Sequence, residues 1–385
     1  MTAGRASLRL LVVSPIPSHP QDQGNSARIF VLCQALREAG VIVHFLYAKM
    51  EGLAEPQRIA MRDCWDHFHS IGHAPADMRP SLPNCYGLDD WYDPAVTRCA
   101  ADLHRRWHFH AVLVNYVWFS RVLAGFPSSV LKILDTHDVF GARDKRFRDA
   151  GLEPEWYYTS PAEEARGLAR ADIVLAIQAE EAALFRAAGH DDVRVIGHAP
   201  GQRQRAVHPP GGFVRVGYLA SGNPLNRRSL ADVVQLLPAI GVAGLRCLVA
   251  GSICDGLAGD IGPFVSIGRV GDLDEFYDHV DIVINPMQFG TGLKIKSVEA
   301  LFQGLPLIAT RAAMAGLPIN HAFHDLADAR AVASCLMETR FDTQRLGAMA
   351  DASRASASAY RGDVRAGICA LVDSMHQHAG AAAHA

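Results

Sequence analysis

The chain has 385 residues, with 37 Lys and Arg against 40 Asp and Glu and a formal net charge of -3, so it lacks the basic excess of a general nucleic-acid binder. Hydrophobic residues at 49% and charged residues at 20% are an ordinary globular balance, and no window of uninterrupted apolar residues is long enough to span a bilayer. The length exceeds the size at which one core usually divides, and the eight cysteines include no Cys-x-x-Cys pair, which points to two domains with reduced thiols in the cytoplasm rather than to disulfides or zinc.

The apolar run Leu8 to Ser14 predicts a first buried strand, too short and too quickly followed by prolines to be a signal sequence. A proline and glycine loop leads to an amphipathic helix over Ser26 to Ala39, closed by Gly40, and Val41 to Tyr47 predicts the second strand. This βαβ unit implies a parallel sheet whose carboxyl edge holds ligands, and Gly24, Asn25 and Ser26 open the helix at that edge. Residues 51–106 show no clear period. Within them Asp89-Asp90-Trp91-Tyr92-Asp93 has a composition that stacks on sugar rings, or simply packs.

Strands follow at Ala111 to Asn115 and Val130 to Leu134, separated by a helix around Tyr116 to Ala124. Asp135-Thr136-His137-Asp138 stands at a strand end, where a neutral imidazole can hydrogen-bond a substrate hydroxyl or, equally, a backbone group. Arg143, Lys145, Arg146 and Arg148, interleaved with Phe140 and Phe147, form either a solvated helix face or a patch for an acceptor at a membrane surface. A helix over Glu163 to Leu168, a strand over Asp172 to Ile177 and a helix over Ala179 to Ala188 complete the first half. The Pro- and Gly-rich stretch 198–212 reads as a linker.

Strand–helix alternation restarts at Val214 to Leu219, followed by the loop Ser221 to Arg228 and by strands at Leu245 to Gly251 and Phe264 to Gly268. The stretch Asp281 to Gly316 is the most informative. It reads as strand, glycine loop at Gly290 to Gly292, helix from Ile295 to Phe302, stop at Gly304 and strand at Leu307 to Thr310. Such a loop aims a helix N-terminus at an anion such as a diphosphate. Lys294 and Lys296 in the first turn oppose the helix dipole and are better explained by a ligand's negative charge, and Glu299 one turn later can accept hydrogen bonds from ribose hydroxyls. Helices are expected at Ala327 to Met337, Thr343 to Ala359 and Gly362 to Gln377, with a frayed tail after His378.

The combination Gly290, Gly292, Glu299, Ala300, Gly304, Pro306, Ala309 and Gly316 resembles the donor site of the family 4 (group 1) retaining glycosyltransferases. That resemblance implies an α/β fold of the GT-B type, with two Rossmann-like domains facing across a cleft and a last helix returning to the first domain. The implied division is an acceptor-binding domain at 1–197, the linker at 198–212, a nucleotide-sugar domain at 213–359 and the returning helix at 360–378. It implies a nucleotide-sugar donor built on UDP, GDP or dTDP and a carbohydrate or lipid-linked acceptor, with peripheral contact at the inner face of the membrane as a further option. Retention of configuration, no cofactor and no metal are implied, and no Asp-x-Asp stands at a strand end.

His137 matches the family's histidine beside the donor sugar. The donor residues implied are Gly24, Ser221, Arg227, Gly290, Thr291, Gly292, Lys294 and Glu299, and Asn25 and Asp138 are the acceptor-side candidates. Two departures stand out. Thr291 replaces the first of two family glutamates, and Ser221 and Asn226 occupy the places of an Arg/Lys pair that binds the diphosphate, a duty Arg227 and Lys294 are expected to assume. Specificity is expected to rest on the loops Pro80 to Asp93 and Phe140 to Tyr158. A nucleotide-sugar epimerase and a non-catalytic nucleotide-sugar binder fit the same residues and stay open.

Overall fold

A computed structural model describes residues 7–75, 78–206, 212–240, 242–257, 261–290 and 292–384. The chain divides into two compact units, one running up to Gly197 and taking in the residues from Val364 onward, the other running from His198 to Asp363.

In the first unit the strands are β1 (Arg9–Ser14), β2 (Ile42–Lys49), β3 (His67–Gly72), β4 (Ala111–Asn115), β5 (Leu131–Asp135), β6 (Ile173–Ala176) and β7 (Val193–Val195). They form one parallel sheet in the order β3-β2-β1-β4-β5-β6-β7. Helices α1 (Gly24–Glu38), α2 (Glu55–Cys64), α3 (Pro94–Trp107), α4 (Arg143–Asp149), α5 (Pro161–Leu168) and α6 (Ala179–Ala187) connect them. The strands β1, β4 and β6 read as near-continuous apolar runs because the crossover helices leave neither face of such a sheet in water.

The second unit repeats the plan with five strands, β8 (Val214–Leu219), β9 (Leu245–Ala250), β10 (Phe264–Ser266), β11 (Ile282–Asn285) and β12 (Leu307–Ala309), in the parallel order β10-β9-β8-β11-β12. Its helices are α7 (Pro224–Ile240), α8 (Leu273–Asp278), α9 (Ile295–Gln303) and α10 (Ala329–Thr339). Tyr218, Leu230, Cys247, Ile282, Ile308, Val332 and Leu336 belong to its core. Helix α11 (Thr343–His384) supplies residues to both units.

Several expected elements differ. The aperiodic stretch 51–106 holds α2, β3 and α3; β3 is an edge strand of half-exposed, His-rich composition, so it carries neither the apolar run nor the alternation that marks a strand. The segment after β4 is a run of 3-10 turns, Val117–Gly125, rather than an α-helix. The two helices expected after residue 342 are one. Gly362 lies inside it, two residues after Tyr360, which is buried and whose hydroxyl accepts from the His198 N–H at 3.1 Å. The alanine-rich tail is helical to His384, in keeping with alanine's leading helix propensity.

Candidate functional site

Both sheets reverse their winding at one point, between β1 and β4 in the first unit and between β8 and β11 in the second. Loops leaving the carboxyl ends of those paired strands diverge to opposite faces, and the crevice they leave is where open α/β sheets take ligands. Gly24, Ser221, Gly290 and Gly292 follow β1, β8 and β11, whereas His137 and Asp138 follow β5 and Arg227 and Glu299 lie within α7 and α9.

In the first unit Gly24 is the first residue of α1, with Gln23 as its extended cap. The Asn25 side-chain oxygen accepts from the Ser26 N–H at 2.8 Å, and the same side chain hydrogen-bonds with Tyr116. Tyr116 directly follows β4 at φ 72°, and His137 lies two residues past β5 at φ 64°. Their rings stack with centroids 4.2 Å apart and planes 15° apart. His137 Nε2 lies 2.8 Å from Asn115 Oδ1 and 3.3 Å from Asp135 Oδ2. Both partners accept only, so Nε2 carries the proton and Nδ1 is left as the acceptor. Burial pushes the imidazole pKa down to about 4, against the upward pull of Asp135, so His137 is neutral near pH 7.

Asp135 is itself held by Arg28, whose Nη2 donates to Oδ1 at 2.9 Å and whose Nη1 donates to the Gly197 carbonyl at 2.5 Å. Both side chains of this ion pair are almost wholly buried. Removing either partner would strand a charge in the interior, which ties the aspartate to one position beneath His137. Thus Asn25 and His137 meet at Tyr116, with Gly24 beside Asn25 at the start of α1. Asp138 turns aside: one oxygen accepts from the Val139 N–H at 2.8 Å and the other lies 4.0 Å from Arg143 at the start of α4.

The charged and aromatic clusters of this unit are tied into the fold. Trp91 and Tyr92 are buried, Asp89 pairs with Arg170 at 2.6 Å, and Asp93 caps α3 by accepting from the Ala95 N–H. Arg146 donates to the carbonyls of Gly141 and Val139, and Arg143 lies over the rings of Phe140 and Phe147.

In the second unit the loop after β8 and the loop after β11 meet. Ser221 Oγ accepts from the side-chain amides of Asn223 and Asn226 at 3.2 and 3.1 Å, which leaves it a ligand of its own loop. Gly290 and Gly292 take φ of 106° and 78°, conformations open to glycine, and a Cβ on Gly290 would stand 3.0 Å from Leu225 at the start of α7. Thr291 lies outside the described residues. Lys294 caps α9 and folds back, its ammonium donating to the carbonyls of Gly290 and Gly292 at 3.0 and 2.6 Å. Arg227 is exposed, and its guanidinium lies against Gly256 and Gly222.

Lys296 makes the contact that sequence reasoning missed. Its ammonium donates to Asn226 Oδ1 at 2.5 Å and to the Tyr218 hydroxyl at 3.2 Å, and lies 4.9 Å over the Tyr218 ring. Asn226 stands where the family resemblance implies a cation, and a lysine from α9 bonds to it. The signal was available: residues two apart on a helix point in different directions, so Lys294 and Lys296 could not share one task. Glu299, one turn further, accepts from the hydroxyl of Tyr277 in α8 at 3.3 Å. Burial pushes the Glu299 carboxyl up to about 7 and the Lys296 ammonium down to about 7, each partly offset by the other's charge. Among the described residues no group of three or more His, Cys, Asp or Glu side chains is arranged to hold a metal ion.

Residues 214–337 match the family model of the glycosyl transferases group 1, which covers β8 through most of α10. The fold is of the GT-B type, and residues 214–337 carry a glycosyl transferases group 1 domain. Among solved structures it is similar to the sucrose-phosphate synthase of Thermosynechococcus elongatus, at 15% identity and a TM-score of 0.68 over 97% of this chain and 100% of that one. It is also similar to HepE of Anabaena, solved with UDP, at 13% identity and TM-score 0.63 over 95% and 100%. A glycosyltransferase from Rickettsia africae aligns at 12% identity and TM-score 0.64 over 97% and 99%. No curated protein matches the chain.

Proposed function

We propose that this glycosyltransferase takes its sugar from a nucleoside diphosphate, UDP, GDP or dTDP, and passes it to a hydroxyl of a carbohydrate or lipid-linked acceptor. The second unit holds the donor, the first unit receives the acceptor, and the reaction follows the metal-independent retaining course of family 4. The observation that carries this reading is Lys296, half-buried at the meeting of the starts of α7 and α9 and bonded to Asn226. Two helix N-termini and one ammonium at the carboxyl edge of a parallel sheet form a site for a diphosphate. HepE, solved with UDP and with UDP-glucose, supports a nucleotide sugar as the donor class.

When the bond between sugar and diphosphate breaks, negative charge grows on the leaving phosphate while the sugar approaches an oxocarbenium ion. Groups fixed beforehand around that charge lower the barrier, and Lys296 is fixed by two hydrogen bonds before any ligand arrives. Glu299, anchored by Tyr277, takes the ribose hydroxyls. His137, neutral and presenting Nδ1, accepts a hydrogen bond from a hydroxyl of the transferred sugar. The test is a panel of UDP-, GDP- and dTDP-sugars in thermal shift, with donor hydrolysis followed by release of the nucleoside diphosphate. One nucleotide class should raise the melting temperature of the wild-type protein and not of Lys296→Ala. No shift with any of the three sinks the reading.

A further inference from the structure

We propose that Trp156 is the platform on which a sugar ring of the acceptor lies. This rests on the proposed reading of the first unit as the acceptor side and supplies the substrate class that the reading leaves open: a saccharide rather than a bare lipid alcohol or protein side chain. Sequence composition pointed to Trp91 and Tyr92 as rings for stacking on sugar, but both are buried. Trp156, in the loop between α4 and α5, is exposed at 36% and belongs to the same cluster of rings. It meets Trp91, Tyr116 and Trp118 nearly perpendicularly, with interplanar angles of 79°, 83° and 88°.

Three observations bear on its role. Trp156 has φ 65°, a left-handed conformation that a bulky residue adopts only when its surroundings hold it there. Tyr116 and His137 are strained in the same way, and the three rings form a chain of contact, His137 on Tyr116 and Tyr116 against Trp156. Strain thus gathers on the residues that place one accessible indole a single ring away from the candidate sugar-facing imidazole. Part of the Trp156 ring stays in water while Trp91, Tyr116 and Trp118 around it are buried. The flat C–H face of a pyranose matches an indole, and the hydroxyls around its rim keep their water or find polar partners.

The test uses the full chain and methyl glycopyranosides of glucose, galactose and mannose, with binding read by saturation-transfer NMR and donor hydrolysis read in parallel. The wild-type protein should transfer saturation to the ring C–H protons of at least one glycoside. Trp156→Ala should weaken that binding about tenfold, while Trp156→Phe keeps most of it. Trp156→Ala should lower the melting temperature because the indole packs against Trp91, Tyr116 and Trp118, Trp156→Phe should lower it less, and both should keep the response to nucleotide sugar. Equal glycoside binding by Trp156→Ala overturns the platform, as does absence of binding by a wild-type protein that hydrolyses donor. Loss of donor binding in the wild-type protein itself strikes the functional reading instead, so the two failures are distinct.

Discussion

Two lysines two positions apart carry different burdens. Lys294 has its ammonium on the carbonyls of Gly290 and Gly292, so it stitches the glycine loop, whereas Lys296 crosses to Asn226 in α7. Lys296→Ala is therefore expected to weaken nucleotide-sugar binding by about 1.5–3 kcal/mol, the worth of a hydrogen bond to a charged group, with little change in melting temperature. Lys294→Ala should weaken binding by about 1 kcal/mol or more and also lower the melting temperature, because two carbonyls lose their donor. Isothermal titration beside thermal denaturation separates the pair, and equal binding losses with equal stability would refute the division. A different residue contributes to the response to acid. His44 is buried in β2 against His67 and His69, and burial followed by those two rings pushes its pKa down to about 4, with Asp66 opposing and Arg9 assisting. The unfolded chain takes up that proton near pH 6.5 and the folded chain resists it. The His44 contribution to stability is therefore fully present above about pH 6.5 and is lost as pH falls toward 4, and His44→Phe should flatten that part of the slope in melting curves taken across the interval.

At the level of elements, the strand-loop-helix from Asp281 to Gly316 was legible because each signal agreed with its neighbour. The β-branched run, the positive-φ glycines and the helix stop at Gly304, which takes φ 70°, all describe the same geometry. The periodic strands β1, β4 and β6 were legible for the same reason: parallel strands covered on both faces must be apolar throughout. What hid were elements whose stability comes from elsewhere. Strand β3 depends on pairing with β2, and α3 on its Asp93 cap and Pro94 at its first turn within a mostly polar sequence. At the candidate site the residue types were readable, but the partner of each was not. The family resemblance led to Arg227 and Lys294 as the expected diphosphate cations, and the hydrogen bond from α9 to α7 adds Lys296 at Asn226. Gly290 is the joint between those two helices. Gly290→Ala would place a methyl 3.0 Å from Leu225 at φ 106° and should cost about 1–2 kcal/mol of stability from strain alone. Because the displaced loop carries Lys294, the loss of nucleotide-sugar affinity should exceed that of a substitution at Gly304, which sits at the far end of α9. If Gly304→Ala reduces affinity as much, the loop is not what orders the site.

Across the whole chain, one helix answers for residues far apart in sequence. From Val364 onward α11 belongs to the first unit, where Leu371 and Met375 are fully buried and Ile368 and Val372 nearly so. Gly367 lies against Ile196, with room for a Cβ only at 3.2 Å, and Arg194 donates to the Ala370 carbonyl and the Ser374 hydroxyl. These contacts join the later part of α11 to the edge strand of the sheet, β7, so the first unit is built from two stretches far apart in sequence. Leu371→Ala removes a fully buried side chain from that seam and should cost about 2–5 kcal/mol, the range for such a cavity, measured as a lower midpoint in urea at unchanged slope. Arg194→Ala, which removes half-exposed polar contacts, should cost far less, near 1 kcal/mol. Deleting residues 364–384 should combine these losses and leave β7 without its cover, giving a chain recovered mainly as aggregate, while the second unit's strands keep all their own partners. A truncated chain that melts at the wild-type temperature would show that the terminal half of α11 is an appendage, and the apolar spacing of Ile368, Leu371, Val372 and Met375 would then need another explanation.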